Sequence, residues 1–299
     1  MNESLWWVFD GIAAAAILLF VIITIKRGLV KAIVSAVGFV LAAVIAISAG
    51  GSIASSIYRT AVRDTNVKNI NRAIDGDTLV DKLAEELENS EYGLSVNKEK
   101  LRSVLMKSDD HDSDIYKFVN NINGKKVAEE GAFYNVLHNA YSNIIRDIVS
   151  KDLSKYAAEC AADKVYNEPS VFRDMIPQLM DDEDQKAASE YICTNLVDEP
   201  YISSLKFIVM IVIMGVIMLL SVFIAGAIGR NDTMEPGFMR HFLCAAMGIA
   251  KGAAIVLGIA IAVRISVVYG SDRSLMTSHP AIENSYVFKY VYDFVCGLK

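Results

Sequence analysis

Three ionisable residues stand in stretches otherwise suited to hydrocarbon: Asp10, Lys251 and Arg264. A charge near mid-bilayer costs ~2.5–3.5 kcal/mol on insertion scales, so such residues tend to mark a polar pathway or a specific contact. At about 1.5 Å per residue, Asp10 lies ~24 Å from the basic pair that begins at Lys26, and Arg264 ~36 Å from Arg240. The two reach similar depths and can meet if their helices are neighbours; each can also snorkel independently to the interface. Lys251, ~16 Å from Arg240, is the deepest of the three and reads as a pathway or contact lysine.

Metal and nucleophile chemistry finds little footing. Asp110, Asp112 and Asp114 match positions 1, 3 and 5 of a calcium-binding EF-hand loop, with His111 among them. Position 6 is Ile115 where a sharp turn wants glycine, and position 12 is Asn121 where a bidentate glutamate is required. A solvated acidic loop is the simpler reading. Asp181-Asp182-Glu183-Asp184 reads as a solvated helix start, with carboxylates opposing the helix dipole. An oxidising compartment would permit a Cys160–Cys193 bridge, with Cys296 left over and Cys244 a small packing residue in a membrane helix. Ligand spacing suits no zinc site. The sequence contains no Gly-x-Ser-x-Gly, Walker loop, His-Glu-x-x-His or Cys-x-x-Cys motif. A non-enzymatic protein with no metal and no cofactor is the expectation.

The elements that must position these residues divide sharply by composition. The chain has 299 residues, 53% of them hydrophobic, a mean hydropathy of +0.34 and a formal net charge of −6. Residues 50–200 hold 18 Lys/Arg against 28 Asp/Glu, whereas the remainder holds only 11 and 7. One part is water-soluble in character and the rest lipid-soluble, which excludes a simple cytosolic enzyme. The acidic balance argues against a nucleic-acid partner.

Four apolar runs meet the length of about 20 residues that a bilayer requires. They are Leu5–Ile25, Leu29–Ile57, Phe207–Ile228 and Phe242–Tyr269. The first has no basic residues before it and is followed by Lys26 and Arg27, so it is not a cleavable signal. Lys26, Arg27 and Lys31 mark one cytoplasmic turn, bent at Gly28; Arg230 and Arg240 mark a second, containing Pro236-Gly237. Both termini and residues 59–200 are then extracytoplasmic. Small residues form two ridges at four-residue spacing: Gly38, Ala42, Ala46 and Gly50 on the second run, Gly248 and Gly252 followed by Ala254, Gly258 and Ala262 on the fourth. Such ridges let membrane helices approach closely.

Together these features resemble the colicin V production protein (CvpA) family. The likeness rests on Asp10, Lys26-Arg27-Gly28-Leu29 with Gly38 beyond, Gly248-Ile249-Ala250-Lys251-Gly252, and the tail Ile282 to Tyr292. It covers roughly residues 1–60 and 200–299. Two departures are Cys244, where a further glycine is usual, and the ~150 residues between helices two and three, where family members have a short link. The resemblance implies a bacterial inner-membrane protein linked to toxin export and envelope maintenance, without established catalytic residues. Its partners would be the lipid bilayer, other envelope or export proteins and other copies of itself. A small channel or transporter subunit is the alternative, and a membrane-anchored sensor a third.

The intervening segment reads as helical throughout, a cap of five to seven short helices. Leu79, Leu83 and Leu87 repeat every four residues, and Phe133 to Ile148 follow a period near 3.6. Pro200 is expected to break the chain before the third membrane helix. Ala281–Phe294 reads as an amphipathic tail helix with Ile282, Val287, Phe288, Val291 and Phe294 on one face, too short for a fifth span and expected on the outer membrane–water boundary, where Tyr286, Tyr290 and Tyr292 suit the headgroups, or against the intervening segment. The expectation is an all-α, multi-pass membrane protein with four transmembrane helices: a hairpin at 1–58, a helical extracytoplasmic insertion at 59–200, a second hairpin at 201–270 and a tail at 271–299.

Overall fold

The computed structural model describes residues 6–181, 185–228, 237–269 and 282–298. Among these every regular element is helical. The chain divides into two units, Met1–Ser56 with Ile202–Lys299, and Ile57–Tyr201.

The first unit contains α1 (Trp6–Arg27), α2 (Leu29–Ile57), most of α12 (Asp198–Ala227), α13 (Phe238–Tyr269) and α14 (Phe288–Gly297). Helices α1, α2, α12 and α13 lie in the four segments long and apolar enough to cross a bilayer. At ~1.5 Å per residue even α1 spans ~33 Å. Their outward faces carry exposed Leu18, Leu19, Val44, Leu219 and Phe223. A surface so continuously apolar belongs against lipid, and this is a multi-pass membrane protein. Gly28, with φ 90°, supplies the left-handed residue that lets α1 turn straight into α2. Residues 229–236, which include Arg230 and Pro236 of the second expected turn, lie outside the described residues, as do 270–281.

The two glycine ridges meet different partners. A Cβ at Gly248 would lie 2.5 Å from the Val21 Cα, and one at Gly252 2.6 Å from the Ile17 Cα, so α13 touches α1 backbone to backbone. On α2, a Cβ at Gly38 would overlap the Ser221 side chain of α12, and one at Gly50 would come within 2.6 Å of the Met210 Cγ. Ala42 and Ala46, between them, are fully buried. Gly258 is looser, with only the Met214 Cε nearby at 3.7 Å. Phe20 and Phe39 meet edge-on at 5.8 Å, tying α1 to α2.

The second unit is water-soluble in character and more finely divided than the sequence suggests. It holds nine described helices: α3 (Arg63–Ala73), α4 (Gly76–Glu88), α5 (Lys98–Lys107), α6 (His111–Asn123), α7 (Glu130–Asp152), α8 (Lys155–Asn167), α9 (Ser170–Arg173), α10 (Ile176–Met180) and α11 (Gln185–Ile192). The excess over five to seven comes from α9 and α10, single turns at Pro169 and Pro177 that carry too few residues for a readable period. The long α7 is the spine, burying Phe133, Leu137, Tyr141, Ile144, Ile145 and Ile148. Leu79, Leu83 and Leu87 of α4 are fully buried in the same core.

Two π-helical turns, Tyr58–Val62 and Cys193–Val197, follow α2 and α11. The second overturns the expected break at Pro200. The Asp198 N–H bonds back five residues to the Cys193 carbonyl, and Pro200 falls in the first turn of α12. The Asn195 carbonyl, five residues before Pro200, accepts from Lys164 Nζ at 2.7 Å, so it does not depend on the missing proline N–H. Residues 182–184 of the expected acidic helix start lie outside the described residues; Asp181 ends α10 and α11 begins at Gln185.

Gly248→Ala should therefore destabilise the detergent-solubilised protein by about 1–3 kcal/mol, because its new methyl meets backbone that cannot move aside. Gly215→Ala, with open space around it, should leave denaturant unfolding nearly unchanged.

Candidate functional site

The sequence-selected charges take separate partners. Asp10 accepts three backbone N–H bonds from the tail: Tyr286 N to Oδ2 at 2.7 Å, and Val287 N and Phe288 N to Oδ1 at 3.0 and 2.9 Å. It thus caps α14 from across 276 to 278 residues of chain. Phe9 stacks on Phe288 at 5.1 Å beside it. Arg264 lies over the Phe207 ring at 6.0 Å and close to Tyr292. Asp10 and Arg264, which depth alone allowed to meet, are therefore not paired: orphan N–H groups at a helix start offer a carboxylate several donors in one place.

Lys251 is buried, and its Nζ donates to the Thr24 Oγ1 at 3.1 Å; Thr24 itself is fully buried. The Gly248–Val21 and Gly252–Ile17 contacts put the Lys251 backbone between the levels of Ile17 and Val21. Its side chain then reaches towards the basic end of α1, to within one turn of Arg27. The ammonium thus runs along a neighbouring helix, with a hydroxyl as its partner.

The three EF-hand-like aspartates do three different jobs. Asp110 caps α6 by accepting the Ser113 N–H at 3.4 Å. Asp114 accepts from the Ser108 hydroxyl at 2.9 Å and pairs with Lys117 at 3.0 Å. Asp112 points inward, only 5% exposed, and takes Arg173 at 3.0 Å, His138 Nε2 at 2.9 Å and the Tyr141 hydroxyl at 3.1 Å. This hub joins α6, α7 and α9, and Tyr141 stacks on Phe172 at 4.2 Å above it. Burial, then the Asp112 charge, pushes the Tyr141 phenol well above its ordinary range. Among the described residues no group of three or more His, Cys, Asp or Glu is placed to hold a metal ion.

A second hub stands at the π turns. Asp198 accepts from the Tyr58 hydroxyl at 2.7 Å and from the Arg63 Nε at 3.1 Å, while the Arg63 Nη2 donates to the Thr194 hydroxyl at 2.9 Å. The first and last turns of the second unit are thereby tied together. Neither hub was visible in the sequence. Isolated Asp and Tyr residues carry no periodic signal, although the lone Tyr58 at the end of an apolar run was an available hint.

None of the four cysteines is disulfide-bonded, so the Cys160–Cys193 bridge that an oxidising compartment would permit is absent. Burial, and then Asp198, pushes the Cys193 thiol up to about 12. No protein-family model, no curated protein and no solved structure matches this chain.

Two outcomes follow. Asp112→Ala should lower the stability of the protein by about 3 kcal/mol, the low end for a broken buried pair because Arg173 keeps some solvent, read as a lowered thermal midpoint. Cys193 should resist iodoacetamide at pH 8, since its thiol is fully buried and held largely protonated, and react fully once the protein is denatured.

Proposed function

We propose that this protein is a non-enzymatic membrane scaffold or accessory factor of the bacterial cell envelope, of the colicin V production type, acting in toxin export and envelope maintenance. The family motifs and their order across two membrane hairpins support the family; the basic residues Lys26, Arg27, Lys31 and Arg240 support an inner-membrane topology with both ends and residues 59–200 outside. The insertion would be the surface that contacts envelope or export partners.

The observation that carries the reading is how the ionisable groups are spent. Asp10, Lys251, Asp112 and Asp198 each bond to a different segment of the chain. That is the economy of a framework, in which buried charge fixes geometry. The channel alternative draws on Lys251; with its ammonium held by Thr24 inside the α1–α13 contact, a pathway along it would require the two helices to part. It therefore stands second, and ion flux in reconstituted liposomes separates the two readings.

Topology is tested by cysteines introduced at Gly28, Asn121 and Asn231. Asn121 should react with a membrane-impermeant maleimide in intact cells, while Gly28 and Asn231 should react only after permeabilisation. Labelling of Gly28 in intact cells would overturn the orientation. Crosslinking in native membranes through the Asn121 position should then capture an envelope component; capture of none would remove the scaffold reading.

A further inference from the structure

Helix α14 has three distinct sides. Phe288, Tyr292 and Val295 are buried against the bundle, where α14 packs on α13 and α1. Residues follow one another by about 100° around a helix, which sends Lys289 and Asp293 to one flank and Tyr290 and Phe294 to the other. The second flank is strongly exposed: Tyr290 68% and Phe294 53%, with Tyr286 and Val287 at the entry to the helix at 68% and 60%. The sequence gathers Ile282, Val287, Phe288, Val291 and Phe294 on one apolar face of a helix begun at residue 281; the helix proper starts at Phe288 and buries 288, 292 and 295, leaving Val287 and Phe294 exposed.

The position of this exposed flank gives it an occupant. The Asp10 bonds hold residues 286–288 one turn from Trp7 along α1. Trp7 is exposed, as is Tyr269, at the same end of the antiparallel α1–α13 pair. Aromatic rings collect at this depth because they suit the boundary between headgroups and acyl chains. Ile12, half a turn beyond Asp10 on α1, is exposed as well. A helix start in that boundary has few waters to satisfy its N–H groups, and each unsatisfied group is costly there. Asp10 supplies both oxygens to three of them.

We propose that α14 is a strap immersed in the lipid boundary at the Trp7 end of the bundle, its Tyr290–Phe294 flank on phospholipid, and that the Asp10 carboxylate is the group that holds it there. The strap requires only the membrane character of the first unit, not the scaffold role.

The test uses full-length protein with its four cysteines replaced, reconstituted in phosphatidylethanolamine–phosphatidylglycerol vesicles. An environment-sensitive fluorophore is placed in turn at Tyr290→Cys, Asp293→Cys and Leu19→Cys, the last reporting that the bundle is inserted. With Leu19 quenched by brominated lipid, Tyr290 should also be quenched by brominated lipid and should respond severalfold less to aqueous iodide than Asp293. Adding Asp10→Ala should reverse the behaviour of Tyr290 while Leu19 is unchanged. Equal iodide quenching at Tyr290 and Asp293 in the otherwise native protein would overturn the strap without any need for the Asp10 variant. So would a Tyr290 probe shielded from both quenchers, which would put a protein surface, such as a second copy, on this flank. An unchanged Tyr290 probe in Asp10→Ala would remove Asp10 from the role of holding group.

Discussion

In hydrocarbon, apolar side chains gain nothing by leaving their solvent, so helices associate best where their backbones can come close. The contact of Gly248 and Gly252 with Val21 and Ile17 brings two backbones together in this way. It fixes the relative height of α1 and α13 residue by residue. From that height follows the reach of Lys251 to Thr24. Arg264 is likewise carried to the end of the bundle where Trp7 lies and the tail helix docks. Without the two glycines a methyl group on α13 would push against the α1 backbone, and the reach of Lys251 to Thr24 would change with it.

The same accounting of polar groups runs through both units, under opposite rules. In the membrane bundle a charge is tolerated because a neighbouring helix offers a partner at short range: a hydroxyl for Lys251, three N–H groups for Asp10. In the Ile57–Tyr201 unit, water could have served any surface charge, yet Asp112 is withdrawn from it and surrounded by Arg173, His138 and Tyr141. Such a hub adds little net stability over an apolar core but penalises every arrangement that leaves the carboxylate unpaired. Asp198 plays the corresponding part where the unit begins and ends, between Tyr58 and Arg63.

Much of this was legible in the sequence because lipid imposes coarse rules. Uninterrupted apolar runs of about 20 residues follow from hydrocarbon thickness, and α1, α2, α12 and α13 sit where those runs put them. What stayed hidden depends on contacts distant in sequence. The partners of Asp10 lie 276 to 278 residues away and are backbone groups, which no side-chain motif encodes. The π turn that absorbs Pro200 changes a hydrogen-bond register without changing composition. Asp112 sat in an acidic run that reads as a solvated loop, and only the packing of α6 on α7 shows which of the three aspartates turns inward.

The most direct measurement of the central claim is a double-mutant cycle between α1 and α13, with Thr24→Val, Lys251→Met and the two combined, followed by reversible unfolding in mixed micelles. Helices held in the described register should give a coupling of about 0.6–1.7 kcal/mol, the range of hydrogen bonds between membrane helices. Strictly additive effects, within the ~0.3–0.5 kcal/mol expected of independent sites, would mean that the lysine and threonine do not meet and that the glycine contacts do not set the register of the bundle.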